Sequence, residues 1–165
     1  MNRVMLLEAL KVRQTEDLKD LLMPAVPTKK NPTPDMRMVE IFKGKTPDKN
    51  SETEKAPYIV NSILNSNFYR NPGEEPTSLV TVRSTLCVYN KDNEEGTLMI
   101  LNLLERLRIS YTRNPIVDGV FQCLFDEEHP IQDLVYPDDT MPFFMADQVT
   151  VWSLPPVERE VRPWL

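Results

Sequence analysis

The residues of this sequence best suited to chemistry lie between Cys123 and His129, where a thiol and the only imidazole are close along the chain. A Cys–His pair can act as an activated nucleophile, and His129 with Glu127 or Glu128 could contribute to a metal site. Neither pattern is complete, because one histidine without further ligands at fixed spacing defines no metal centre. We interpret Cys123 as a buried core thiol and residues 126–129 as a solvated acidic loop.

Other enzyme motifs are equally incomplete. The four glycines stand alone, whereas a phosphate-binding loop needs several glycines at short spacing. Adjacent acids at 94–95 and 138–139 are typical of solvated turns and helix starts, not of a general acid and base. The sequence therefore predicts no catalytic residue, no metal site and no cofactor. A small hydrolase or metal enzyme built on Cys123 and His129 is the least favoured alternative.

Composition and charge narrow the class of partner. The chain of 165 residues has 25 acidic and 19 basic side chains, a net charge of -6, and its basic residues are scattered. Nucleic-acid binding depends on clustered Lys and Arg, so a protein that grips DNA or RNA is not expected. No apolar run approaches the roughly 20 residues that span a bilayer, and the acidic N-terminal region is unlike a signal peptide. We expect a soluble protein of a reducing compartment, without membrane association and with both cysteines reduced.

Hydrophobic periodicity predicts the elements that hold these residues. An N-terminal helix ends at Pro24, and a second helix begins at the acidic segment 92–95. Strands are predicted at 36–43, 57–64, 78–90, 117–125 and 143–154. The first helix is expected to bury Val4, Leu7, Leu10, Leu18, Leu21 and Leu22, and the second Ile100, Leu103, Leu104, Leu107 and Tyr111. The fold class is therefore α/β (α+β), with a single mixed, mainly antiparallel sheet of about five strands and two main helices packed on one face.

Residues 1–157 are predicted to form one domain, followed by a C-terminal tail at 158–165. The domain includes an extended proline-rich connector at 24–35 and a polar loop at 44–56; a further acidic loop is expected at 126–142. Segments of this kind suit a protein that works by binding other proteins. Possible partner contacts in the loops and tail are Lys49, Glu52, Tyr69, Arg70 and Trp164. Three apolar residues off the core stripe of the second helix, Leu98, Met99 and Ile109, are either the rim of a wide buried face or contacts between subunits.

The layout resembles the tail terminator (tail completion) proteins of long-tailed phages, the family of the lambda minor tail protein U. The resemblance covers roughly residues 1–157 and rests on four parts. The first part is the N-terminal helix with the proline-rich segment that follows it. The second is the pair of strand sequences around Pro57-Tyr58-Ile59 and Val80-Thr81-Val82. The third is the helix sequence Gly96-Thr97-Leu98-Met99-Ile100-Leu101-Asn102-Leu103-Leu104-Glu105-Arg106-Leu107, which follows a strand ending Val88-Tyr89-Asn90, and the last is the C-terminal pair of sequences Pro142-Phe143-Phe144 and Val149-Thr150-Val151-Trp152-Ser153-Leu154-Pro155.

The resemblance implies a structural virion protein that is not an enzyme. It implies a homo-oligomeric ring, a hexamer, that caps the tail tube, stops its growth and docks onto the head connector or stopper protein. DNA would pass through the lumen without specific binding, and the protein would be assembled in the host cytoplasm and reside in the tail–neck region of the virion. Head–tail joining proteins and tail tube subunits share related folds and stay open as alternatives.

Overall fold

Two helices and nine strands occur in the part of the chain that the computed structural model describes, residues 2–44, 55–137 and 141–155. In chain order they are α1 (Arg3–Leu18), β1 (Leu22–Met23), β2 (Arg37–Met38), β3 (Glu40–Lys43), β4 (Tyr58–Tyr69), β5 (Thr77–Tyr89), α2 (Asn93–Arg113), β6 (Ile116–Val117), β7 (Phe121–Leu124), β8 (Gln132–Val135) and β9 (Phe143–Leu154). The mixed α+β class and the two helices confirm the sequence-based expectation. No described helix has the length and apolar character needed to cross a membrane.

The main sheet has seven strands, more than the five expected. Six of them follow the order β3-β4-β5-β9-β7-β6. The seventh, β8, pairs with the same edge of β9 as β7 does, but further along that edge. All pairs are antiparallel except β3 with β4, which is parallel, and β1 and β2 form a separate two-stranded ribbon. Because α1 contacts both β3 and β6, which lie at opposite ends of the strand order, the sheet curls around this helix.

Helix α2 has the predicted start and the predicted buried stripe. The Asp92 carboxylate accepts a hydrogen bond from the Glu95 amide at 3.1 Å, which satisfies one of the free N–H groups of the first turn. The five residues expected to face inward are all buried: Ile100, Leu103, Leu104, Leu107 and Tyr111. The helical period of the apolar residues was therefore sufficient to define this face.

The stripe predicted for α1 was partly wrong. Leu10 and Leu18 are buried as expected, but Val4 is 66% exposed and the helix ends at Leu18, before Pro24. The buried stripe is Leu6, Ala9, Leu10, Gln14 and Leu18. A polar residue, Gln14, occupies the centre of this stripe. Because the predicted stripe was built from apolar residues alone, it was displaced toward the side of the helix that carries Val4.

The strand boundaries needed four corrections. The segment 36–43 is divided into β2 and β3, and β4 continues to Tyr69, well beyond the predicted end at residue 64. The predicted strand 117–125 is a hairpin, β6–β7, with positive φ at both Asp118 and Gly119 in its turn. The predicted loop 126–142 contains β8. The connector 24–35 is not extended throughout, because reciprocal backbone bonds join Thr28 and Asn31.

The core lies between the two helices and one face of the sheet. It includes the inward residues of β5, namely Val80, Val82, Ser84, Leu86 and Val88, and the inward residues of β9, among them the fully buried Trp152. A smaller cluster on the opposite face buries Ala56, Tyr58, Cys87 and Tyr89 at one end. Beyond that cluster the second face of β5 is half-buried or exposed.

Candidate interaction surfaces

The β4–β5 hairpin carries two of the predicted partner contacts. Tyr69 ends β4 with its side chain exposed, and Arg70 begins the turn, where its guanidinium Nε donates to the Glu74 carbonyl at 3.2 Å. The Asn71 amide also donates to the Glu74 carboxylate at 3.1 Å, which orders the turn. The other predicted contacts, Lys49, Glu52 and Trp164, lie outside the described residues.

The three off-stripe residues of α2 have different surroundings. Leu98 is 61% exposed and points away from the core. Met99 is half-buried, packs against the core, and its sulfur accepts a hydrogen bond from the Asn90 amide at 3.1 Å. Ile109 is half-buried about three turns further along the helix, beside Arg106 and Arg113. The three residues therefore do not form a continuous apolar patch, and Leu98 is the most accessible of them.

A more extended apolar surface lies at strand β8, where sequence reasoning expected only a loop. All four residues of β8 are exposed, and Leu134 is 62% exposed. The strand pairs with β9 on one side, and no strand of the described residues pairs with its other side. We call the exposed apolar residues here, Leu134, Val135, Tyr136 and Met141, the β8 edge surface.

Two polar contacts fix β8 against the sheet. The Tyr136 hydroxyl donates to the Asp147 carboxylate, with distances of 3.1 and 3.0 Å to its two oxygens, and burial together with this contact raises the pKa of Tyr136. The Gln148 amide donates to the Asp133 carboxylate at 3.0 Å and to the Leu104 carbonyl of α2 at 3.2 Å. Because Asp147 and Gln148 are themselves buried, the β8 edge is held in a defined position before any partner binds.

A groove between α1 and the β6–β7 turn forms a second apolar surface. Its volume is about 560 Å³, and we call it the α1–β6 groove. Its walls are mainly apolar, with acidic side chains along the rim; the lining residues are Met5, Glu8, Ala9, Val12, Arg13, Glu16, Val117 and Asp118. The spacing of Met5, Ala9, Val12 and Glu16 places them on one side of α1, so the sequence already contains a signal for this surface.

The residues considered for catalysis do not form a site. Cys123 is buried, and burial raises the pKa of its thiol to about 12, so the reactive thiolate is scarce at neutral pH. His129 lies in the acidic loop with its Nδ1 at 3.1 Å from the Asp126 carboxylate. Within the described ranges, no three His, Cys, Asp or Glu side chains are grouped so that they could hold a metal ion.

No protein-family model and no curated protein matches the chain.

Proposed function

We propose that the protein is a structural protein whose subunits associate into a closed ring, and that the ring caps the tail tube of a long-tailed phage and joins the tail to the head connector. Association between subunits is supported by the open edges of the sheet. The closed ring and its place in the virion are supported by the resemblance of the sequence to tail terminator proteins, because head-to-tail contacts alone can form either rings or filaments. The net charge of -6 suits a lumen through which DNA passes without being held.

The observation that carries the proposal is the β8 edge surface. An exposed edge strand presents unpaired backbone N–H and C=O groups, and monomeric proteins usually protect such edges with charges, prolines or a covering element. The edge at β8 is short, contains Asp133 and is followed by Pro137, yet Leu134, Tyr136 and Met141 are exposed beside it, so it still combines backbone hydrogen-bonding capacity with apolar area. Such a surface is expected where another subunit binds.

A closed ring needs two different surfaces on each subunit, because its interfaces join head to tail. The strand order supplies a second edge at β3, which pairs only with β4 among the described strands and lies at the opposite end of the strand order from β7 and β6. Contact between the β8 edge surface of one subunit and the β3 edge of the next would repeat around a ring. Leu98 on α2 is a further candidate for this interface.

The proposal is tested by placing a charge on the β8 edge surface. Leu134→Asp should reduce the assembled particle to single subunits, because a carboxylate buried in an apolar interface loses its hydration without a partner. Since Leu134 is 62% exposed, the subunit itself should stay folded. The matched control is Leu22→Asp on β1, which is 54% exposed and belongs to the separate ribbon.

Mass measured by light scattering, with circular dichroism to check folding, distinguishes the outcomes. Assembly that is lost in Leu134→Asp and retained in Leu22→Asp supports the proposed interface. Assembly that survives Leu134→Asp would show that the β8 edge surface is not used. Long cylinders formed by the unmodified protein would instead indicate a tail tube subunit.

A further inference from the structure

The α1–β6 groove has no cover among the described residues, although its walls are apolar. Val12 is 70% exposed, and Met5, one and a half to two turns earlier on the same helix, is also exposed. Together with Ala9 and Val117 they line a volume of about 560 Å³. This volume lies within the roughly 300–1,000 Å³ typical of sites that enclose an organic group.

We propose that the groove is the docking site of the chain's own segment 156–165, with the side chains of Trp164 and Leu165 inserted between α1 and β6. This inference is independent of the ring, because it concerns contacts within one subunit. It rests on three observations: where the described chain ends, how far the segment can reach, and the chemistry of the groove.

The described chain ends beside the groove. Leu154, at the end of β9, lines a small depression together with Asn2 and Arg3 at the start of α1. Gln122 of β7 pairs with Ser153, and Phe121 pairs with Val117 of β6. Continuing this register places Leu154 opposite Phe121 and two strands away from Val117, a separation of about 10 Å at the usual strand spacing of about 4.8 Å.

The segment is long enough to reach the groove from that point. Residues 156–165 number ten and can span at most about 33–36 Å when fully extended. The far end of the groove at Glu16 lies about 20 Å from Arg3 along the helix axis, given the rise of about 1.5 Å per residue. The segment can therefore place Trp164 in the groove without stretching.

The chemistry of the segment complements the groove. Trp164 and Leu165 are the large apolar residues next to each other in the segment, and an indole buries a large apolar area with little conformational freedom to lose. Arg162 precedes them. The groove is lined by the carboxylates of Glu8, Glu16 and Asp118 and by the guanidinium of Arg13. Because Glu8 pairs with Lys43 and Glu16 with Lys19, Asp118 is the carboxylate proposed to meet Arg162. The Pro163 ring between Arg162 and Trp164 restricts the backbone, so that less entropy is lost on docking.

The test uses the full chain and its two tryptophans as reporters. Trp152 is fully buried in the core and reports whether the subunit is folded. Subtracting the fluorescence of Trp164→Phe from that of the unmodified protein isolates the contribution of Trp164. Acrylamide quenching of that contribution should be several-fold weaker than quenching of a free indole, and its emission should be shifted to shorter wavelength.

Matched substitutions then locate the docking site. Val12→Glu should restore rapid quenching and red-shift the Trp164 emission, because it places a charge on the wall of the groove. Val4→Glu is the control: the same substitution on the same helix, at a residue that is 66% exposed and does not line the groove. It should leave Trp164 protected, and the emission of Trp152 should be unchanged in both variants.

Each other outcome overturns the proposal. Quenching of Trp164 like that of a free indole in the unmodified protein would show that the segment does not dock. Protection that survives Val12→Glu would place Trp164 on another surface. Protection that disappears on dilution would show that the segment binds a second copy instead of its own chain.

Discussion

Four buried polar residues form a hydrogen-bonded cluster that connects α1, the sheet and α2. The amides of Gln14 and Asn61 exchange hydrogen bonds of 2.7 and 3.3 Å, the Ser84 hydroxyl donates to Asn61 at 2.6 Å, and Gln14 also donates to the Tyr111 hydroxyl at 2.6 Å. All four residues are buried, and burial raises the pKa of Tyr111. Each group therefore depends on its neighbours to replace its lost hydration.

The first prediction is that Gln14 and Asn61 are energetically coupled. Gln14→Leu and Asn61→Leu should each lower the free energy of unfolding by about 1–3 kcal/mol, because each leaves its partner buried and unsatisfied. The double variant should be less destabilised than the sum, since it removes both amides together. Urea unfolding followed by circular dichroism measures all three. Effects that add within about 0.5 kcal/mol would contradict the coupling.

The second prediction concerns the thiol considered for catalysis. Cys123 should not react with a soluble disulfide reagent at pH 8 in the folded protein, because its pKa is raised to about 12 and its side chain is buried. Cys87 is also buried and should behave similarly. Both thiols should react fully once urea unfolds the chain. Rapid labelling of one thiol in the folded protein, assigned with Cys123→Ser, would contradict this account and revive the nucleophile hypothesis.

At the element scale, the first turn of α2 approaches β9 closely at Gly96. A Cβ added at this position would overlap the ring of Phe144, which packs against the core. Helix propensity alone favours alanine over glycine by about 0.5–1 kcal/mol. Overpacking a filled site costs about 1–3 kcal/mol, so the steric effect should exceed the propensity.

The third prediction follows from that comparison. Gly96→Ala should lower the free energy of unfolding by about 1–2 kcal/mol, measured by urea unfolding. The same substitution in a Phe144→Leu background should be neutral or stabilising, because the ring that the Cβ would meet is gone. A stabilising effect of Gly96→Ala in the unmodified protein would show that α2 does not approach β9 as described.

The elements that the sequence predicted well are those in which burial follows the apolar period. The inward stripe of α2 and the strands β5 and β9 were recognised because each buries a regular apolar face. Gln14 and β8 were misjudged for different reasons. Gln14 is buried because Asn61 and Tyr111, which are distant in sequence, satisfy its amide. β8 pairs with the next strand, β9, but all four of its residues are exposed, so no buried apolar alternation marks it.

At the scale of the whole molecule, the sequence indicated an interaction protein but located little of its surface. Leu98, Tyr69 and Arg70 are accessible, whereas Met99 packs against the core, and their predicted contacts with subunits or partners stay predictions. The β8 edge surface and the α1–β6 groove were missed because each is assembled from separate segments. Val117, which lies just before the β6–β7 turn, is brought beside α1 by the fold. Met141, which lies just before β9, is likewise brought beside β8.

We propose different roles for these two surfaces. The β8 edge surface, held by Tyr136 and Asp147, is available to another subunit, whereas the α1–β6 groove is proposed to bind the chain's own segment. Under the proposed function, acidic subunits with an open sheet edge would form a closed assembly around DNA without holding it. The proposed function therefore depends on whether the subunits assemble.

The most direct measurement is the mass of the purified protein by light scattering across concentrations, with electron micrographs of the same sample. The account predicts discrete rings of uniform diameter, near six subunits as the resemblance to tail terminators implies, that bind the ends of isolated tails. A protein that remains a single subunit at every concentration and fails to bind tail ends would contradict the central claim.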